Sequence, residues 1–180
     1  RVLIIAGSDS GGGAGIQADI KTVSALGGYA MTAITAVTVQ NTLGVTGVHA
    51  VPPDIVRAQI EAVMGDLGAD TWKIGMMGSA DHVRAALEAW YAVGAGAPVI
   101  LDPVMIAKGG ASLLNEDAIE VIRDELMPIA AMVTPNAPEA EALTGVAVHD
   151  LDGQMDAADV LVNRLGAWSA LVKGGHIHGS

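Results

Sequence analysis

Cysteine is absent from the 180 residues, and with it go disulfides, thiolate catalysis and any Cys-based zinc site within them. Phenylalanine is absent too, and with two Tyr and three Trp the aromatics reach only 3%, so the core must be aliphatic and aromatic platforms for stacked bases are lacking. Positive charge is scarce: 9 Lys plus Arg stand against 20 Asp plus Glu, a formal net charge of −11. No basic run occurs that could track a nucleic-acid backbone. No apolar run approaches the roughly 20 residues of a membrane-spanning helix. The uncharged stretch 22–53 comes nearest, and Gln40, Asn41, Thr42 and four Gly break it into short β-like pieces. The five His are scattered, only His176 and His178 lie close together, and no His-x-x-x-His pair supports zinc. The lack of Cys fits a reducing compartment, so the cytoplasm is the expected location. Arg1 opens directly on an apolar run, without Met or a leader, and preceding residues are expected.

What is present is a folding composition: 51% hydrophobic, 16% charged, with a mean hydropathy of +0.45. The length suits one domain spanning residues 1–180. Residues 2–6 are continuously apolar and break into the glycine-dense segment 7–15, which reads as a buried strand feeding a loop. Ile16, Ile20 and Val23 then recur at helical spacing. Further strands are expected over 30–39, 45–51, 71–74, 98–101, 131–133 and 170–172, with a loop at Lys108-Gly109-Gly110. Helical stripes are expected at Val56, Ile60, Val63, Met64 and Leu67; at Val83, Leu87, Trp90 and Tyr91; at Ile119, Ile122 and Leu126; over 138–143; and at Leu161, Leu165 and Trp168. This alternation predicts an α/β fold, a mostly parallel sheet covered on both faces. Ligands of such sheets sit beyond the carboxyl ends of the strands. Polar and glycine residues fall at those ends: Gly7-Ser8-Asp9, Gln40-Asn41, Gly75-Met76, Asp102-Pro103, Thr134-Pro135-Asn136 and Lys173-Gly174-Gly175.

The glycine loop offers backbone N–H groups to an anion, but no Walker-type Gly-x-x-x-x-Gly-Lys-[Ser/Thr] is present. Gly13-x-Gly15-x-x-Ala18 matches the permissive dinucleotide pattern, yet the acidic residue expected about 20 positions on is missing: none occurs between Asp19 and Asp54. Five Gly in nine residues are nevertheless entropically costly for a mere connector, which favours ligand contact. Gln40 can present donor and acceptor together to a heteroaromatic ring edge, or serve the turn; Asn41 suits turn chemistry. Asn136-Ala-Pro-Glu139 has the spacing of a capping box, which the residues alone favour, against a carboxylate beside a magnesium–phosphate site. Lys173 is a cation next to a flexible turn, suited to a phosphate or simply to the surface. Asp102 could bind metal through water or start a turn. Met76 and Met77 read as core or pocket lining.

Taken in order, Gly7-Ser-Asp-Ser-Gly-Gly-Gly-Ala-Gly-Ile-Gln-Ala-Asp-Ile-Lys-Thr22, Val39-Gln-Asn-Thr42, Lys73-Ile-Gly-Met-Met-Gly-Ser79, Leu101-Asp-Pro-Val-Met105, Thr134-Pro-Asn-Ala-Pro-Glu139 and Leu171-Val-Lys-Gly-Gly-His176 resemble the hydroxymethylpyrimidine/phosphomethylpyrimidine kinases of thiamine biosynthesis. Six ordered blocks spanning nearly the whole chain are specific where any one is weak. The resemblance implies a ribokinase-like three-layer sandwich, ATP and Mg²⁺ as cofactors, and phosphorylation of the hydroxymethyl group of 4-amino-5-hydroxymethyl-2-methylpyrimidine and then of its monophosphate. It implies that Gln40 reads the aminopyrimidine edge, that Gly7, Ala14, Met76 and Val104 line the pocket, and that Asp19 lies near the alcohol. It further implies that Asn136 and Glu139 order the magnesium–phosphate shell with Asp102 nearby, Asp102 and Glu139 being the metal residues, and that Lys173 contacts the transferring phosphates. Lys173 and Asp19 are thus the catalytic candidates.

Family members carry a later Gly-Thr-Gly-Cys or Gly-x-Gly-Asp segment, and the chain stops at Ser180 before it. The expectation is therefore a ribokinase-like domain incomplete at its C-terminus, or a chain unable to do the chemistry unaided. Partners are a small pyrimidine alcohol and ATP, with no nucleic acid and no membrane, and a homodimer is expected. The alternatives are a pyridoxal/pyridoxine kinase, a non-catalytic pyrimidine-binding module, and a nucleotide-dependent oxidoreductase.

Overall fold

Every residue from Leu3 to Ala6 is buried, which requires cover on both sides of the strand. A computed structural model, describing residues 1–105 and 116–175, supplies that cover. Strand β1 (Val2–Ser8) lies inside a six-stranded sheet with β2 (Ala30–Asn41), β3 (Gly44–Ala50), β4 (Thr71–Ile74), β5 (Val99–Leu101) and β6 (Ala130–Val133), in the order β3-β2-β1-β4-β5-β6. The pairs β1–β2, β1–β4, β4–β5 and β5–β6 are parallel. Among the described strands only β3, joined to β2 by a short turn, runs antiparallel. That direction follows from connection length, since a two-residue link cannot return a strand in parallel.

Successive side chains of a strand point to opposite faces, so β1 feeds two separate packing layers. Ile4 and Ala6 meet Ile16, with Ile20 and Val23, on helix α1 (Gly15–Ala25). Leu3 and Ile5 join the main core with Val56 and Ile60 of α2 (Pro53–Asp66) and Val83 and Leu87 of α3 (Ala80–Ala89). Helix α4 (Glu116–Val121) adds Ala118 and Val121 to the same core. Helices on both faces give the three layers that the βαβ alternation predicts. Helices α5 (Ala137–Thr144) and α6 (Leu151–Asn163) pack on each other through Ala137, Ala140, Val148 and Ala157, while Leu143 and Leu161 tie them to the main core.

Several expected boundaries shift. Helix α3 passes into wider π-type turns over Trp90–Gly94, which leave Tyr91 exposed instead of completing the stripe. Leu67 caps α2 and is partly exposed. Helix α6 ends at Asn163, so Leu165 and the exposed Trp168 lie beyond it. The expected strand over 170–172 is reduced to two isolated parallel bridges, Val133 to Ala170 and Asn136 to Lys173, which still bring this segment alongside β6. The expected loop at Lys108-Gly109-Gly110 and the pair His176 and His178 lie outside the described residues.

Candidate functional site

Because β1, β2, β4, β5 and β6 run parallel, their carboxyl ends open on one rim, and the loop after β1 crosses it. Asp9 organises that loop. Its carboxylate is 5% exposed and accepts the N–H groups of Gly11 at 2.8 Å, Gly13 at 2.9 Å and Ala14 at 2.8 Å. Burial pushes the Asp9 carboxyl up, but the N–H groups of Gly11, Ala14 and Gly13 outweigh it and hold the group below the ordinary carboxylate range. Gln17 accepts the Asp9 N–H at 2.8 Å and donates to the Ser8 hydroxyl at 2.7 Å, fastening α1 to the end of β1. Gly15 opens α1 at φ +55°, and a Cβ there would run into the Gly7 carbonyl, so the turn demands glycine. A Cβ on Gly7 would meet the Met76 methyl at 2.8 Å, which is why the loop can approach β4 so closely.

Ser10 clasps this loop to β2: its hydroxyl donates to the Gln40 carbonyl at 2.7 Å and accepts the Gln40 N–H at 2.8 Å. Asn41 accepts the Leu43 N–H at 2.8 Å, the turn role expected of it. Between loop, β2 and β4 lies a cavity of about 430 Å³, within the range of small-molecule sites. Gly7, Ala14, Asp19, Gln40, Met76, Asp102 and Val104 all line it, together with Thr38 and Lys73.

Its charged floor alternates in sign. Lys73 on β4 bonds both oxygens of Asp19, at 2.8 and 2.9 Å, and stands 3.8 Å from Asp102. Lys173 donates to Asp102 at 2.9 Å, and the Thr134 hydroxyl reaches the same carboxylate at 3.3 Å. The order Asp19, Lys73, Asp102, Lys173 thus carries charge from α1 across three strand ends. Lys173 is a partnered cation. Beside it, Asn136 and Glu139 form the complete capping box of α5, with Glu139 N–H on Asn136 Oδ1 at 2.9 Å and Asn136 N–H on Glu139 Oε2 at 2.8 Å. Burial pushes the Glu139 carboxyl above its ordinary range, against the opposing pull of the Asn136 N–H and Lys173.

The structure therefore brings together in one cavity Gly7, Ala14, Asp19, Gln40, Met76, Asp102 and Val104, and joins Lys173 to them through Asp102. Asn136 and Glu139 stand outside the cavity wall, linked by the Asn136 to Lys173 bridge. Met77 is core, 1% exposed. Four residues carry roles that spacing did not single out: Asp9, Ser10, Thr38 and Lys73. Asp9 and Ser10 sit within the glycine segment, so its polar letters were the available signal. Lys73 is a charged residue inside a four-residue strand with buried neighbours, a placement that calls for a buried partner.

Comparison with known proteins extends the likeness to the whole chain. The family described as phosphomethylpyrimidine kinase matches residues 9–180. The hydroxymethylpyrimidine/phosphomethylpyrimidine kinases of Mycobacterium leprae and Bacillus subtilis are 49% and 51% identical over 100% and 98% of this chain, which spans 64% of each. The thiamine biosynthesis bifunctional protein ThiED of Geobacter sulfurreducens is 50% identical over 98% of the chain, which spans 36% of it. Among solved structures, phosphomethylpyrimidine kinase from Clostridium difficile superposes with a TM-score of 0.90 at 44% identity, over 99% of this chain and 77% of that one. Pyridoxal kinase from Staphylococcus aureus in complex with AMP-PCP and pyridoxal gives 0.87 at 34% identity, over 99% and 64%. The fold is accordingly ribokinase-like, and with near half its residues shared and the rim assembled from its ordered motifs, this chain belongs to the phosphomethylpyrimidine kinase family.

Proposed function

We propose that residues 1–180 are one ribokinase-like domain of an ATP-dependent kinase that phosphorylates the hydroxymethyl group of 4-amino-5-hydroxymethyl-2-methylpyrimidine, and then the resulting monophosphate. The observation that carries this is the rim cavity that holds Gly7, Ala14, Asp19, Gln40, Met76, Asp102 and Val104 together. In it Gln40 reads the polar edge of the ring, while Gly7, Ala14, Met76 and Val104 enclose the ring faces. Asp19, held at both oxygens by Lys73, orients the alcohol. Lys173 meets the anionic phosphates from beyond Asp102. Phosphoryl transfer is chiefly positioning and charge neutralisation, and a chain of net charge −11 needs its few cations where Lys73 and Lys173 stand.

Among the described residues no three His, Cys, Asp or Glu gather as metal ligands. That donor set still suits Mg²⁺, which keeps most of its waters and is held by one or two carboxylates plus substrate phosphates. Asp102 and Glu139 would hold it, and bound there the ion would offset charge on the phosphates. The buried Glu139 carboxyl, shifted upward, favours a cation or a proton as its companion.

The neighbouring pyridoxal kinase supports a second reading, phosphorylation of a pyridine alcohol, since both rings carry a hydroxymethyl group. Turnover with each alcohol in competition tests the choice: preference for the aminopyrimidine is expected, and preference for pyridoxal overturns it. No helix of the described residues is long and apolar enough to cross a membrane. We carry the cytoplasmic location and the homodimer as part of the same proposal.

A further inference from the structure

Thr38 is buried on β2 two residues before Gln40, 5% exposed, and its hydroxyl lies 2.8 Å from the Ser8 carbonyl and 3.1 Å from the Gln40 side-chain atom placed as Oε1. A hydroxyl has one proton to give. The Ser8 carbonyl can only accept, whereas an amide can turn either its oxygen or its nitrogen toward Thr38, the two being told apart by their partners. With Oε1 toward Thr38, as placed, one proton faces two acceptors, and a part-buried oxygen pair is left in repulsion whenever that proton serves Ser8. The reverse satisfies all three groups: Gln40 Nε2 donates to Thr38 Oγ1, Thr38 donates to the Ser8 carbonyl, and Oε1 faces the cavity with the second Nε2 proton beside it. The Gln40 backbone cannot relieve the constraint by moving, since Ser10 holds both its N–H and its carbonyl.

We propose that Thr38 is a specificity-determining residue, fixing the Gln40 amide so that the cavity accepts a ring whose edge offers an exocyclic N–H donor next to a ring-nitrogen acceptor. This rests on the aminopyrimidine-alcohol reading and sharpens it. A 4-amino pyrimidine presents that pattern. Its 4-oxo counterpart presents the reverse, a carbonyl acceptor next to a ring N–H, and meets oxygen with oxygen. Selectivity therefore resides in a chain of hydrogen bonds from Gln40 through Thr38 to Ser8, and not in Gln40 alone, whose amide could serve either ring if free to turn.

Calorimetric titration of the chain with 4-amino-5-hydroxymethyl-2-methylpyrimidine and with its 4-oxo analogue tests this without requiring turnover. The unaltered chain is expected to favour the amino ring at least tenfold. Thr38→Val, which keeps the branched shape and removes the hydroxyl, is expected to bring that ratio toward one by weakening the amino ring and admitting the oxo ring. Thr38→Ser is expected to restore the ratio, and ATP affinity is expected to stay level in all three. Thr38→Ala provides the freed amide should the Val variant not fold. Thr38→Val or Thr38→Ala retaining the full ratio overturns the role of Thr38 while leaving the ring site intact, as does an unaltered chain that binds both rings equally. An unaltered chain that binds neither ring overturns the site reading itself and this inference with it.

Discussion

Gln40 combines a backbone locked by Ser10 with a side chain open to the cavity, and its removal should be felt by the ring alone. Gln40→Ala is expected to weaken pyrimidine binding by about 1–3 kcal/mol with ATP binding unchanged, as read by calorimetry. Equal loss of both would contradict its role. Lys73 holds both oxygens of Asp19 and stands 3.8 Å from Asp102, so Lys73→Met leaves Asp19 without its cation at the cavity floor, while Asp102 keeps Lys173. A loss of about 1.5–3 kcal/mol in urea unfolding is expected, and Lys73→Arg should recover part of it. An unchanged midpoint would show that the pair is only a surface contact. At Asp9 the folded-state carboxyl is held below its ordinary range, so it contributes stability above the unfolded value of about 3.9 that is lost as pH falls through the lowered one. Asp9→Asn should therefore melt lower at pH 7 and show a shallower acid limb between pH 4 and 2 than the parent; parallel acid limbs would contradict the assignment. These residue roles were only partly legible in sequence. Gln40 and Lys173 announce themselves by position at strand ends, whereas Thr38 and Lys73 acquire meaning from partners 30 and 54 residues away.

At the scale of elements, the glycine loop and the short helix α5 are where local chemistry and site coincide. The Asn136 to Glu139 capping box is complete, and Gly145 closes α5 in the left-handed conformation at φ +72°. Asn136→Ala is expected to cost about 1 kcal/mol of stability. Nucleotide affinity should fall in the same variant if the box also holds the magnesium–phosphate shell, and a stability loss without it would confine Asn136 to capping. Helices with regular stripes, such as Val56 and Ile60 on α2, follow the spacing because burial on one side decides them. Tyr91 and Trp168 departed from it because π-type turns and an early helix end rotate them out of register. The antiparallel course of β3 was not specified by apolar pattern, which is blind to strand direction; the two-residue link decides it.

Across the whole molecule, the order β3-β2-β1-β4-β5-β6 takes motifs scattered over more than 160 residues and sets them on one rim. The alternation of strands and helices made that rim foreseeable, since parallel strands must end on the same side. Neither strand order nor the reach of Lys73 between Asp19 and Asp102 could be read from it, because both depend on which strands become neighbours. The central claim is that this rim seats a small ring alcohol against Gln40 with its hydroxymethyl group toward the Asp19 and Lys73 pair. A crystal structure of the chain grown with 4-amino-5-hydroxymethyl-2-methylpyrimidine tests it most directly. The account predicts the ring edge on Gln40, the ring between the glycine loop and Met76, and the alcohol within hydrogen-bond reach of Asp19. A ring bound elsewhere, or with its hydroxymethyl group pointing away from Asp19, would contradict it.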